Sequence, residues 1–242
     1  MLIGTGVAVV AIGVAVAVAS IAGNGGGNGS GGTASPNANS GEPSSIPSVD
    51  SPAAASAVVK RVTLKPAGWG SGYVAQDPYE DNTLSQNVTD QNCNAASQPI
   101  NNAFASLSRW SKTSDTTVAT FSQTTVYKAA DSAQYSLSQQ SEALQRCPTV
   151  RNGKSRLEDV HEVKVSGLKG FDQVVAEEGH QTSDENGNKV DTYYTYLTGR
   201  KGNFVMNTEV DRTGEGTQEQ NRNDASSALS LMLNRLGSGA SY

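Results

Sequence analysis

Titratable side chains are scarce in this chain. Two of its 242 residues are histidine, two are cysteine, and charged residues make up 17%, against roughly 25% in an ordinary globular domain. So few histidines leave little material for proton transfer at neutral pH. His161, beside Glu162, and His180 both read as exposed strand positions. Neither stands with an acidic residue at helical ligand spacing, so no zinc site is expected. The G-x-S-x-G elbow, the Walker loop and the G-x-G-x-x-G turn are all missing. Ser166-Gly167-Leu168-Lys169 matches S-x-x-K but lacks the S-D-N and K-T-G segments that accompany it in enzymes. The segment Asp184 to Asp191 alternates oxygen-bearing side chains like a calcium loop, yet its glycine falls one place early and no Glu closes the ring. It reads as a polar hairpin turn. The expectation is a non-enzyme with no cofactor and no metal.

Basic runs are also missing. The 18 basic and 23 acidic residues are scattered, for a net charge of −5, and nothing resembles a stripe that could follow a phosphate backbone. Nucleic acid is therefore not an expected partner. Lys and Arg are likewise absent ahead of the long apolar run that opens the chain. A signal peptide or an inward-facing anchor ordinarily carries that charge, so the N-terminus does not set its own orientation, and coding sequence upstream of Met1 is an open expectation.

The apolar run itself is plain. From Leu2 to Ala22 every residue is uncharged, long enough at 1.5 Å per residue to cross a hydrocarbon core of about 30 Å. It exceeds the usual signal-peptide core, which favours a retained transmembrane anchor. Ala17-Val18-Ala19 leaves cleavage as the alternative, with a secreted product. Residues 23–56 are rich in Gly, Ser, Pro and Asn, cannot bury enough apolar surface to offset ordering entropy, and read as a disordered stalk. Export places Cys93 and Cys147 in an oxidising compartment, where they are expected to pair. Closing that loop is worth roughly 3 to 4 kcal/mol in the chain-entropy model.

The remainder, 57–236 followed by a short tail at 237–242, reads as one α+β domain with a mainly antiparallel sheet flanked by helices. Val58 to Leu64 suggests a strand by its β-branched content, though Ala53 to Val59 could begin a helix. Pro66 to Tyr73 breaks regular structure. Asp90 to Ala103 suggests a short helix carrying Cys93 and broken at Pro99. Strands are expected at Phe104 to Trp110, Thr116 to Tyr127, Val160 to Leu168, Phe171 to Gln181, Val190 to Thr198 and Asn203 to Val210. The last two are joined by a compact Gly199-to-Gly202 connection. Val190 to Leu197 has apolar or aromatic residues on both faces, as a central strand does. Helices are expected at Asp131 to Cys147, with Asp131 as N-cap and Ala133, Leu137 and Leu144 on one stripe, and at Thr217 to Leu236, with Ala225, Ala228, Leu229, Met232 and Leu236 on another.

The order of these features is similar to the extracytoplasmic sensor domain of actinobacterial Ser/Thr protein kinases of the PknH type, and to the related domain of many actinobacterial surface lipoproteins. The match rests on the Ala/Val leader, the Gly/Ser stalk, the Pro66-Ala67-Gly68-Trp69 turn and a cysteine in an early helix. It continues with Val126-Tyr127, feeding Ala129-Ala130-Asp131-Ser132-Ala133 into a helix that ends Cys147-Pro148. The resemblance implies a central antiparallel sheet, helices beside it and a cleft for an extracellular ligand. This chain departs from it in having cysteines for one disulfide rather than two and in carrying no kinase domain.

Two functional classes follow: a membrane-tethered extracytoplasmic sensor for an unknown small molecule or cell-wall component, or an envelope protein that holds a partner protein or wall polymer. Ligand-binding residues are expected among Trp69 and Tyr73 of the Gly/Pro-rich turn and Tyr194 and Tyr196 of the tyrosine-rich strand. These aromatics offer stacking area with a hydrogen-bonding tip.

Overall fold

A computed structural model describes residues 47–238, apart from 154, 186, 187 and 215. The apolar leader, most of the stalk and the last four residues of the tail lie outside the described residues. Among those described, no helix is long and apolar enough to cross a membrane.

The first element is a helix, α1 (Pro52–Val62), which decides between the two readings left open, a strand at Val58 to Leu64 and a helix beginning at Ala53 to Val59. Ser51 supplies the start signal by accepting a hydrogen bond from the Ala54 amide at 3.3 Å, with Pro52 in the first helical position. Ala55, Val58, Val59 and Val62 then recur at helical spacing and are all buried. That stripe outweighs the β preference of three valines. The folded unit thus begins ahead of residue 57, and Val49 also packs against it.

A single helical turn, α2 (Pro66–Trp69), leads into β1 (Tyr73–Asp81), β2 (Ser85–Thr89) and β3 (Ala95–Pro99). The helix expected around Cys93 does not form; β2 and β3 make a two-stranded hairpin instead. The cause is local. The Asp90 carboxylate accepts from the amides of Asn92 and Asn94, both at 2.8 Å, and Cys93 sits in the left-handed region at φ 59°. Asp and Asn satisfy the backbone in this way outside helices and so favour turns.

The rest follows the expected order with one short strand, β6, added: β4 (Ala103–Thr113), β5 (Val118–Tyr127), α3 (Ala130–Arg146), β6 (Val150–Asn152), β7 (Ser155–Glu162), β8 (Gln173–Glu185), β9 (Asn188–Lys201), β10 (Phe204–Thr213) and α4 (Gln218–Gly237). Ala129 rather than Asp131 is the N-cap of α3, and Asp131 lies in the first turn, where a carboxylate complements the helix dipole. The strand expected to reach Leu168 stops at Glu162. Beyond it Val163, Val165, Leu168 and Phe171 pack irregularly against the core. At the β9–β10 turn Lys201 pairs with Phe204, so the connection is Gly202-Asn203, with Gly202 at φ 58°. Gly199 lies within the strand for another reason: a Cβ there would stand 2.5 Å from the Phe171 ring.

Eight strands form one sheet in the order β1-β4-β5-β10-β9-β8-β7-β6, every neighbouring pair antiparallel. The middle strands are covered on both sides, and alternation along β10 shows how. Phe204, Met206 and Val210 face α1 and α4, with Leu229 and Met232. Val205 faces the other way, toward Leu137 of α3. A disulfide joins Cys93 to Cys147, at the end of α3, with Cα atoms 5.5 Å apart.

Candidate functional site

The four aromatics expected at a binding site are split by the sheet. Trp69 and Tyr73 stand together, ring centroids 6.4 Å apart, and pack against the core under α1 and α4. Tyr194 and Tyr196 point to the opposite face, as alternate residues of one strand must. There Tyr194 is 2% exposed and donates from its hydroxyl to Glu177 Oε1 at 2.8 Å. Its ring lies across Gly179, where a Cβ would meet it at 2.8 Å. Tyr196 packs beside the tilted Trp110–Phe121 pair, whose centroids are 5.3 Å apart.

Tyr196 also lines a cleft of about 980 Å³ between the sheet and α3. The floor is made by residues that alternation sends to this face: Trp110 of β4, Phe121 and Gln123 of β5, Asn207 of β10, Tyr196 of β9 and Glu177 of β8. Tyr135, Ser136 and Gln139 of α3 form one wall. The β2–β3 hairpin forms the other and is fastened to α3 where Ser136 Oγ donates to Gln86 Oε1 at 3.4 Å. The disulfide closes one end, since Cys93 lies in the hairpin turn and Cys147 caps α3.

A polar ladder crosses the floor. Asn207 Nδ2 donates to Gln123 Oε1 at 2.9 Å, Gln123 Nε2 donates to Ser106 Oγ at 3.3 Å, and Ser106 and Thr125 share a hydrogen bond of 3.0 Å. Unpartnered groups line the cleft, among them two of the floor. Asn207 Oδ1 and Trp110 Nε1 are buried and find no hydrogen-bond partner among the described residues. These residues escaped the sequence reading, although a signal was there. Ser122 to Thr125 and Asn207, Glu209 and Asp211 put polar side chains into strands that are otherwise central and buried.

A solved structure is similar to this chain. It is the crystal structure of the extracellular domain of PknH from Mycobacterium tuberculosis, with a TM-score of 0.49 and 13% sequence identity, covering 72% of this chain and 94% of that one. No protein-family model and no curated protein sequence matches the chain.

Burial governs the electrostatics of the cleft face. It raises the carboxyl pKa of Glu177, against the opposing hydrogen bond from Tyr194. Burial, then the nearby Glu177 charge, lifts the Tyr194 phenol well above its usual range, and burial with the Glu209 charge raises Tyr196. Across the strand pair Glu209 lies opposite Tyr196 and Asp211 opposite Tyr194. Burial pushes the Asp211 carboxyl up to about 7, opposed by a hydrogen bond with Glu209.

The histidines lie elsewhere. His161 sits beside the Asp159 carbonyl at 2.7 Å on an exposed stretch of β7, and His180 stacks on Tyr193 with centroids 5.4 Å apart. Among the described residues no group of three or more His, Cys, Asp or Glu side chains is arranged to hold a metal ion. In the segment that suggested calcium binding, β8 and β9 pair up to Glu185 and Asn188; residues 186 and 187 lie outside the described residues. Chemically the cleft offers stacking surface, amides and hydroxyls, which suit binding.

Proposed function

We propose that this chain is a non-enzymatic extracytoplasmic binding domain of the sensor type, held at the cell membrane by its N-terminal apolar segment, with the cleft beneath α3 as its ligand site. The cleft carries this reading. At about 980 Å³ it is at the upper end of small-molecule sites, and its floor keeps a buried acceptor, Asn207 Oδ1, and a buried donor, Trp110 Nε1, without partners among the described residues. Such groups cost roughly 1–3 kcal/mol each while unpaired, which a bound ligand relieves. Export is supported by the Cys93–Cys147 bridge and by the uncharged run from Leu2 to Ala22.

A thermal-shift screen of small metabolites, lipids and cell-wall fragments tests the reading. A ligand at 100 times its Kd adds about 2.7 kcal/mol to stability, visible as a saturable rise in Tm. Gln139→Trp, at an exposed position on the α3 wall, fills the entrance and is expected to abolish that rise. A Tm response confined to polymers or partner proteins and unchanged by Gln139→Trp refutes the cleft and favours the envelope-interaction role.

A further inference from the structure

The cleft is lined by acidic side chains that are already hydrogen-bonded within the protein. Five carboxylates line it, Glu80, Asp81, Asp90, Glu142 and Glu177, against one guanidinium, Arg146. A free cluster of that kind would select a cation. These acids are already engaged. Glu80 accepts from Arg109 Nε at 2.9 Å, Asp81 from the amide and hydroxyl of Thr83 at 2.9 and 3.0 Å, and Asp90 from two backbone amides of its own turn. Glu142 accepts from Gln139 Nε2 at 3.4 Å, and Glu177 takes the Tyr194 hydroxyl while burial favours its neutral form. The lone Arg146 donates to the Asp90 carbonyl at 3.3 Å.

The groups of the lining left without a partner among the described residues are uncharged. Sixteen Ser, Thr, Asn and Gln residues line the cleft, and of the unpartnered groups Asn207 Oδ1 is an acceptor and Trp110 Nε1 a donor. A hydroxyl is the ligand group that both donates and accepts, and can satisfy either. Anions meet a surplus of carboxylates and one occupied arginine, so phosphorylated or carboxylated ligands are disfavoured. Trp110, Phe121 and Tyr196 on the floor and Tyr135, 66% exposed at the rim, supply aromatic faces for the C–H side of a ring.

We propose, resting on the cleft being a ligand site, that it binds an uncharged polyhydroxylated molecule of the carbohydrate type, through the Asn207–Gln123 amide ladder and the aromatic floor. Calorimetric titration of the full chain tests this with four probes: a mixture of neutral monosaccharides, a set of neutral hexasaccharides, spermine and inositol hexaphosphate. Saturable binding of a neutral sugar, weakened about tenfold by Tyr135→Ala or Gln139→Ala, is expected. Both positions are exposed, so loss of fold does not confuse the result. Binding by monosaccharides assigns free sugars, and binding by hexasaccharides alone assigns the end of a polymer. Binding of spermine or inositol hexaphosphate in place of sugar, abolished by Gln139→Trp, overturns the carbohydrate assignment and leaves the ligand site standing. Sugar binding insensitive to all three variants, or no binding by any probe, also overturns it.

Discussion

Asp211→Asn separates the charge on the cleft face of β10 from its shape. Asp211 and Glu209 are 7% and 2% exposed and share a hydrogen bond, so both carboxyls are shut away from solvent. Burial moves the Asp211 carboxyl from 3.8 to about 7, about three units, or on the order of 4 kcal/mol of preference for the protonated form. Between pH 4 and 7 the folded chain therefore holds more protons here than the unfolded chain, and stability falls as pH rises through that window. The full contribution is present below pH 4 and is lost above about 7. Asn has no such dependence. Wild type and variant should be equally stable near pH 4, and the variant should lead by up to about 4 kcal/mol at pH 8. Urea denaturation followed by circular dichroism at unit steps of pH measures both curves. The exposed or partly exposed Asp90, Asp115 and Asp172, whose carboxyls are held low, affect both proteins alike and cancel in the difference. A difference that stays constant from pH 4 to 8 refutes a carboxyl kept neutral by burial.

Two further outcomes follow from packing and connectivity. Gly199→Ala should cost about 1–3 kcal/mol, because its Cβ would meet the Phe171 ring at 2.5 Å; adding Phe171→Ala should make the glycine substitution nearly neutral, and an additive double-mutant cycle would contradict the contact. The Cys93–Cys147 bridge closes a separation of 54 residues, so Cys93→Ser/Cys147→Ser should lower unfolding free energy by about 4 kcal/mol. Thiol labelling of denatured, unreduced protein should find neither cysteine reactive.

Legibility in the sequence followed the length and regularity of each element. The stripes of α3 and α4 and the strands β4, β5 and β8 to β10 could be read because their periodicity runs over ten or more residues. α1 was ambiguous between strand and helix from the content of Val58 to Leu64, since three valines weigh the same in either structure until their spacing is considered. Asp90 hid a turn inside an apparent helix by offering its carboxylate to the backbone. β6, three residues long, has no periodicity to read, and β1 is an edge strand whose residues are mostly solvated. At the site, Tyr194 and Tyr196 share a face by strand parity alone. Which face the Trp69 loop reaches depends on how α1 and α2 cross the sheet, and no local pattern states that. The amide ladder was visible only as a misfit, polar residues where a central strand should be apolar, and its meaning required the cross-strand register of Gln123 with Asn207.

The bridge between the hairpin turn and the end of α3 has a bearing on binding as well as on folding. It joins the two walls of the cleft covalently at one end, where Arg146 also donates to the Asp90 carbonyl, while farther along the walls are held by the weak Ser136–Gln86 hydrogen bond. The hairpin forms a separate two-stranded sheet, tied to the main body by the bridge and by a few hydrogen bonds such as that from the Arg151 amide to the Cys93 carbonyl at 2.9 Å. With the bridge in place the entropy of ordering the hairpin is settled at folding, so the cleft meets its ligand preorganised. Mild reduction should then enlarge the ensemble of wall positions and weaken association before it loosens the eight-stranded sheet.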